Sequence, residues 1–120
     1  MRKDLGMRKG KLIAQGAHAS MKVLLQAGSL DEARAHFTLA TWPALAAWLS
    51  GRFTKVCVSV DSEAALDAIV AKAAEAGVPC ALIVDAGQTE FHGVATKTCC
   101  AVGPAWIEDV DGITGGLSLL

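Results

Sequence analysis

The sequence predicts an α/β fold with a partly parallel sheet covered on both sides by helices. Three observations carry this expectation. Residues 10–27 and 63–76 show helical spacing of apolar and polar side chains, while residues 54–60, 79–84 and 96–102 are valine-rich or continuously apolar runs of strand length. The two kinds of segment alternate along the chain, as they do where helices cross over between strands. With 120 residues and 52% apolar content there is material for one core, so residues 1–120 are expected to form a single domain.

The elements follow in order. A first helix over residues 10–27 is expected to turn Ile13, Ala17, Val23 and Leu24 to the core, with Gly16 and Ala19 allowing close approach. Gly28-Ser29 ends it, and Asp31-Glu32 opens a short helical turn, acids being favourable at a helix start. Thr41-Trp42-Pro43 begins another helix that runs to Ser50-Gly51, proline being tolerated in a first turn. Residues 54–60 read as a strand. Ser62 can cap a helix that Gly77 closes. Residues 79–84 read as a strand buried on both faces and ending at Asp85, residues 86–95 as a loop, residues 96–102 as a strand and residues 104–111 as a short helix.

The formal net charge of −1 conceals an asymmetry. Residues 1–22 hold six basic side chains against Asp4 alone, a local +5 that leaves −6 for the remainder. Such an end can steer a polyanion and contact a few phosphates, though it is too small for tight non-specific binding to long nucleic acid. Trp42, Trp48 and Trp106 stand apart and tyrosine is absent, so no platform for stacking successive bases is evident. Apolar runs fall far short of the ~20 residues a membrane span needs, and no apolar leader follows Met1-Arg2-Lys3, so a soluble cytoplasmic protein without membrane contact is expected.

The densest chemistry lies in residues 4–19. Lys11, Gln15, His18 and Lys22 recur at steps of four, three and four, which at about 100° per residue places them on a strip roughly 60° wide. Arg8 and Lys9 precede this helix, where unpaired backbone N–H groups and the dipole already favour an anion. Basic residues there oppose the dipole and give nothing to helix stability, so a phosphate or carboxylate ligand is the better reason for them. A nucleotide-binding P-loop is excluded: Gly6 and Gly10 enclose three residues instead of four, and Leu12 stands where a hydroxyl is needed.

A second constellation follows the apolar run at 79–84. Asp85 stands at the carboxyl end of a strand, where α/β proteins bind ligands, and Thr89, Thr96 and Thr98 follow closely. Gly87 and Asp85 would also make an ordinary turn. Cys57, Cys80, Cys99 and Cys100 show no metal-binding spacing; Cys57 and Cys80 are expected in the core, and Cys99 and Cys100 on opposite faces of a strand. Neither a metal nor a cofactor is expected.

The segments Asp4-Leu5-Gly6-Met7, Gly10-Lys11, Ala14-Gln15, His18-Ala19, Val60-Asp61-Ser62, Ala81-Leu82-Ile83, Asp85-Ala86-Gly87, Thr89, Thr96, Thr98, Val102-Gly103-Pro104, Thr114-Gly115, Leu117 and Leu119-Leu120 resemble the type 2 peptidyl-tRNA hydrolase family in order and approximate spacing. The resemblance runs nearly end to end. It implies a three-layer α/β/α sandwich around a mixed sheet of about four strands, commonly a homodimer, acting on peptidyl-tRNA. It also implies hydrolysis of the ester between a peptide and the terminal ribose of tRNA. Ester hydrolysis needs a positioned water, a proton acceptor and donors for the oxyanion. On this reading Lys11 is the cationic donor, Asp85 orients or deprotonates the water, Thr89 and Thr98 are hydroxyl partners, and Gln15 and His18 complete the site. Arg8, Lys9, Lys22 and Lys97 would meet tRNA phosphates.

The chain departs from the family pattern in three places. Only Met1-Arg2-Lys3 precede the Asp4 segment, so most of the first strand is expected to be missing, by truncation or by a start codon assigned too late. The loop around Phe91-His92-Gly93 is about one residue longer than the family pattern, and Lys97 stands where arginine is frequent. A rival site with His92 as base and Ser20 or a cysteine as nucleophile lacks a GxSxG elbow. Two other readings stay open: a non-catalytic module that binds an RNA end or a protein, and an enzyme acting on another acyl ester.

Overall fold

An antiparallel pair, β3 (Cys80–Asp85) and β4 (Thr96–Val102), forms the larger sheet in the computed structural model, which describes residues 1–120. The chain is α/β, with four helices and two small antiparallel sheets. Helix α1 (Lys9–Leu25) packs on one face of β3 and β4, and α3 (Glu63–Glu75) on the other, where α4 (Ile107–Thr114) joins it. On the α3 face the core is Val60, Leu66, Ile69, Ala73, Val78 and Ile113, with Cys80, Leu82, Cys100 and Val102 packed against it. On the α1 face Met1, Met7, Ala19, Ile83 and Cys99 cluster. Alternation along the strands produces this division, so Cys99 and Cys100 do face opposite ways.

The register contains one irregularity. Ile83 pairs with Cys99 but Val84 pairs with Lys97, leaving Thr98 as the extra residue of a bulge. A bulge re-aims side chains locally. Here Thr98 and Cys99 both bond to Gln15 of α1, while Lys97 points to α3.

Beyond β4 the pairing continues through single bridges. Arg2 N–H donates to the Thr98 carbonyl at 2.9 Å, Arg2 bridges Val60 in parallel, and Val58 bridges Leu119 in antiparallel. This Arg2–Val60 bridge is the one parallel contact, whereas β3 and β4 are antiparallel. Residues 54–57 form no strand, and Cys57 is exposed where a core position was expected.

Three other expectations are corrected. In place of a helical turn at Asp31-Glu32 there is a hairpin, β1 (Gly28–Asp31) with β2 (His36–Leu39). Asp31 accepts a hydrogen bond from Arg34 N–H at 3.3 Å, so its carboxylate closes a turn instead of starting a helix. The last helix begins at Ile107, not at residue 104. On α1, Ile13 is 73% exposed and Ala17 is exposed, while the buried positions are Gln15, Ala19 and Val23. The polar strip therefore borders the buried face and does not oppose it. Two expected features are present: Pro43 lies in the first turn of α2 (Pro43–Ser50), and Ser62 Oγ accepts from Ala65 N–H at 3.1 Å to cap α3. No helix is long and apolar enough to cross a membrane.

Candidate active site

Asp85 ends β3 directly beside the second turn of α1. Its Oδ2 accepts hydrogen bonds from Lys11 Nζ at 2.5 Å and from Gln15 Nε2 at 2.8 Å. Its Oδ1 accepts from Gly87 N–H at 2.8 Å. The two charged side chains are only 11% and 14% exposed, so water screens them little. The Lys11 ammonium beside it, with the Gly87 N–H, holds the Asp85 carboxyl below its ordinary value against the opposing effect of burial. The carboxylate is thus kept ionised. Gly87 adopts φ +80°, and a Cβ there would meet the Val94 backbone at 2.3 Å, so this turn requires glycine.

Behind the pair stands a buried relay. Thr98 Oγ1 donates to Gln15 Oε1 at 2.5 Å, which leaves the Gln15 amide nitrogen for Asp85. Both residues are almost fully buried. Each end of the amide therefore has one partner of the right polarity, and its orientation is fixed. Thr98 meets Gln15 and is not among the residues that border the open groove. In front of the pair, Lys11 Nζ also donates to Thr89 Oγ1 at 3.0 Å and lies 5.5 Å from the Phe91 ring centre.

These groups border a shallow groove of about 510 Å³ whose walls include Arg8, Gln15, His18, Thr89 and Glu90. His18 presents an exposed imidazole to it. Arg8 is the N-terminal cap residue of α1 and donates through Nε to Glu90 Oε1 at 2.7 Å. The Arg8 backbone N–H also points at Glu90, at 3.3 Å. A carboxylate thus occupies the anion position expected at this helix start, and Arg8 holds Glu90 below the usual carboxylate range. Glu90 had escaped the sequence reading; its only signal was an acid directly after Thr89 in the loop that follows β3. Lys9 is exposed at the same end.

The remaining candidates lie elsewhere. Lys22 is eleven residues beyond Lys11, roughly 16 Å along the axis, and its ammonium donates to the Leu82 carbonyl at 2.8 Å. Lys97 faces α3, with Nζ 2.8 Å from Asp67 and 3.4 Å from Glu63, on the opposite side of the sheet from Lys11. Both acids raise its affinity for the proton. Thr96 Oγ1 donates to the Val94 carbonyl within its own loop. His92 is exposed at φ +53° and is not among the groove's walls.

A family model described as "Peptidyl-tRNA hydrolase PTH2" matches residues 1–120. A protein named "Peptidyl-tRNA hydrolase" from Methanocaldococcus jannaschii is 41% identical over 120 residues, covering 100% of this chain and 95% of its own length. Its namesake from Aeropyrum pernix is 40% identical over 122 residues, covering 99% of this chain and 90% of its own. That from Haloquadratum walsbyi is 37% identical over 118 residues, with 98% and 93% covered. The family model matches residues 1–120 and relatives of this name are about 40% identical over the chain: this chain belongs to the PTH2 family of peptidyl-tRNA hydrolases.

Proposed function

We propose that this chain hydrolyses the ester joining a peptide, or an N-blocked amino acid, to the 3′-terminal ribose of tRNA, releasing the peptide acid and a reusable tRNA. The observation that carries the reading is the convergence of Lys11 Nζ, Asp85 Oδ2 and Thr89 Oγ1 from segments more than 70 residues apart. Water supplies the nucleophile, its oxygen bonding to the acyl carbon while the ribose oxygen leaves with a proton. Asp85 aims this water and accepts its proton as the carbon–oxygen bond forms. Lys11 stabilises the negative charge that grows on the carbonyl oxygen; its ammonium is already oriented, so little reorganisation accompanies the reaction. Thr89 and His18 line the place of the ester. Gln15 and Thr98 hold the carboxylate in position from behind.

Arg8 and Lys9 receive phosphates near the 3′ end of the tRNA. A phosphate that binds there displaces Glu90 from the α1 N-terminus and takes over its hydrogen bonds. The test uses N-acetyl-aminoacyl-tRNA with the wild-type chain and with Lys11→Ala and Asp85→Ala. The expected result is turnover by the first and its loss in the variants, with RNA binding retained at a fixed salt concentration. A non-catalytic binding module would show binding without turnover in all three.

The same reading makes residues 1–120 one domain of a three-layer sandwich, in which Arg2, Val60 and Leu119 mark further lines of a mixed four-stranded sheet. It acts as a homodimer in the cytoplasm, and sedimentation of the purified chain checks the dimer.

A further inference from the structure

His18 borders more than the groove. On the far side of this imidazole the seam between α1 and β3 opens into a second hollow of about 510 Å³, lined by His18, Met21, Lys22, Leu25, Gln26 and Ile83. One side chain is therefore a wall of both spaces. Their chemistry differs. The first is bordered by Arg8, Lys11, Asp85 and Glu90, whereas the second offers the thioether of Met21 and the isobutyl group of Leu25, 56% and 49% exposed, over a floor of Ile83. Ile83 precedes Asp85 by two residues and so faces the same side of the sheet. Lys11, His18, Lys22 and Leu25 recur along one edge of α1, so the two hollows follow one another along that edge on either side of His18 and together make a track.

The proposed substrate is divided in the same way. On one side of the ester lies a polyanion, and on the other a neutral chain of amides and side chains. Arg8 and Lys9 stand at the polar end of the track, which leaves the apolar end for the acyl side. We infer that the Met21–Leu25–Ile83 hollow binds the C-terminal residues of the peptidyl group; the inference rests on the hydrolase reading above. The dimensions agree. His18 is about 10 Å along the helix axis from Lys11 and residue 23 about 18 Å, the reach of roughly three and five extended residues.

The side chains suit a ligand of variable sequence. Methionine is flexible and polarisable, so Met21 can pack against differing side chains. Lys22 Nζ donates to the Leu82 carbonyl at 2.8 Å and Gln26 Nε2 to the Cys80 carbonyl at 3.4 Å, along β3. An ammonium has three donors, so Lys22 keeps two for carbonyls of a peptide lying in the seam.

The experiment compares kcat/KM for two substrates that share tRNA and C-terminal residue, N-acetyl-aminoacyl-tRNA and an apolar N-acetyl-pentapeptidyl-tRNA. The wild-type chain is expected to favour the longer substrate by about tenfold, the effect of burying two or three apolar groups. Met21→Gln and Leu25→Gln, singly and together, are expected to shrink that ratio towards one. Both positions are exposed, and unchanged melting curves would exclude unfolding as the cause. Equal kcat/KM on two hydrolysed substrates would overturn the inference alone. An equal loss on both substrates in the variants would overturn it in favour of the terminal adenosine of the tRNA, and a dimer that becomes monomeric on Met21→Gln would overturn it in favour of a second copy of the chain. Hydrolysis of neither substrate would overturn the reading beneath it as well.

Discussion

The two faces of the β3–β4 pair enclose interiors of different kinds. Against α3 and α4 the buried cluster is apolar, from Leu66 at 1% exposure to Ala73 at 0%, and the Lys97 ion pairs lie at its partly exposed edge. Against α1 the apolar cluster of Met1, Met7, Ala19, Ile83 and Cys99 is interrupted by Gln15 and Thr98, and ends at the Lys11–Asp85 pair. An apolar interior tolerates many sequences of similar volume. A polar one is tolerable only if each donor and acceptor finds its partner, and no buried side-chain nitrogen or oxygen here lacks one. The first face holds the sheet in place; the second fixes four polar side chains relative to one another.

If that division is right, substitutions on the two faces separate activity from stability. Lys11→Ala should lower kcat for N-acetyl-aminoacyl-tRNA by about 10²–10³-fold, the usual loss for one oxyanion donor, while the protein remains folded. A variant that keeps full turnover breaks the comparison. Leu66→Ala on the other face should cost about 2–5 kcal/mol in urea unfolding, with kcat of the folded protein changed little. Thr98→Val tests the relay: losing the donor to Gln15 Oε1 should cost about 1–3 kcal/mol and lower turnover, and Thr98→Ser should restore turnover. If Thr98→Ser and Thr98→Val behave alike, the hydroxyl is only filling space.

Acid titration sharpens the contrast further. The Asp85 carboxyl is held below its ordinary value of 3.8, chiefly by Lys11. The stability it contributes is therefore fully present above pH 3.8 and is lost as the pH falls through the lowered folded value. Protonation of Asp85 should accordingly produce no loss of kcat/KM between neutrality and pH 5, a range set well above its titration. Carboxyl NMR on Lys11→Met should show the Asp85 titration moving upward. The smallest effect belongs to Lys97, whose ion pairs lie on the α3 face: Lys97→Met should leave kcat/KM within about twofold.

Parts of this arrangement can be read from residue order. The steps from Lys11 to Gln15, His18 and Lys22 announce one helical strip, and an apolar run ending at Asp85 announces a carboxylate at a strand end. The cap at Ser62 is equally local. The burial of the strip is not legible in the sequence, because a polar strip on an amphipathic helix ordinarily faces water; here Asp85 gives Lys11 and Gln15 partners at the sheet, and Ile13 is left outside. The hairpin at residues 28–39 is not legible either, because Asp31 serves a turn as well as it serves a helix start. Lys97 and Thr98 face opposite sides as neighbours in a strand do, but only the bulge, which no local pattern announces, puts Thr98 beside Cys99 on the α1 face.

The sequence by itself determined which residues share a helix edge, where strands end and to which family the order of motifs points. These are consequences of backbone periodicity and short-range capping, which act within a few residues. Only the tertiary structure decided that Asp85 closes on Lys11, that Thr98 reaches Gln15 through a bulge, and that Glu90 holds Arg8. Such pairings join side chains more than 70 residues apart, and their choice follows from how α1 packs on β3 and β4, which no local pattern specifies.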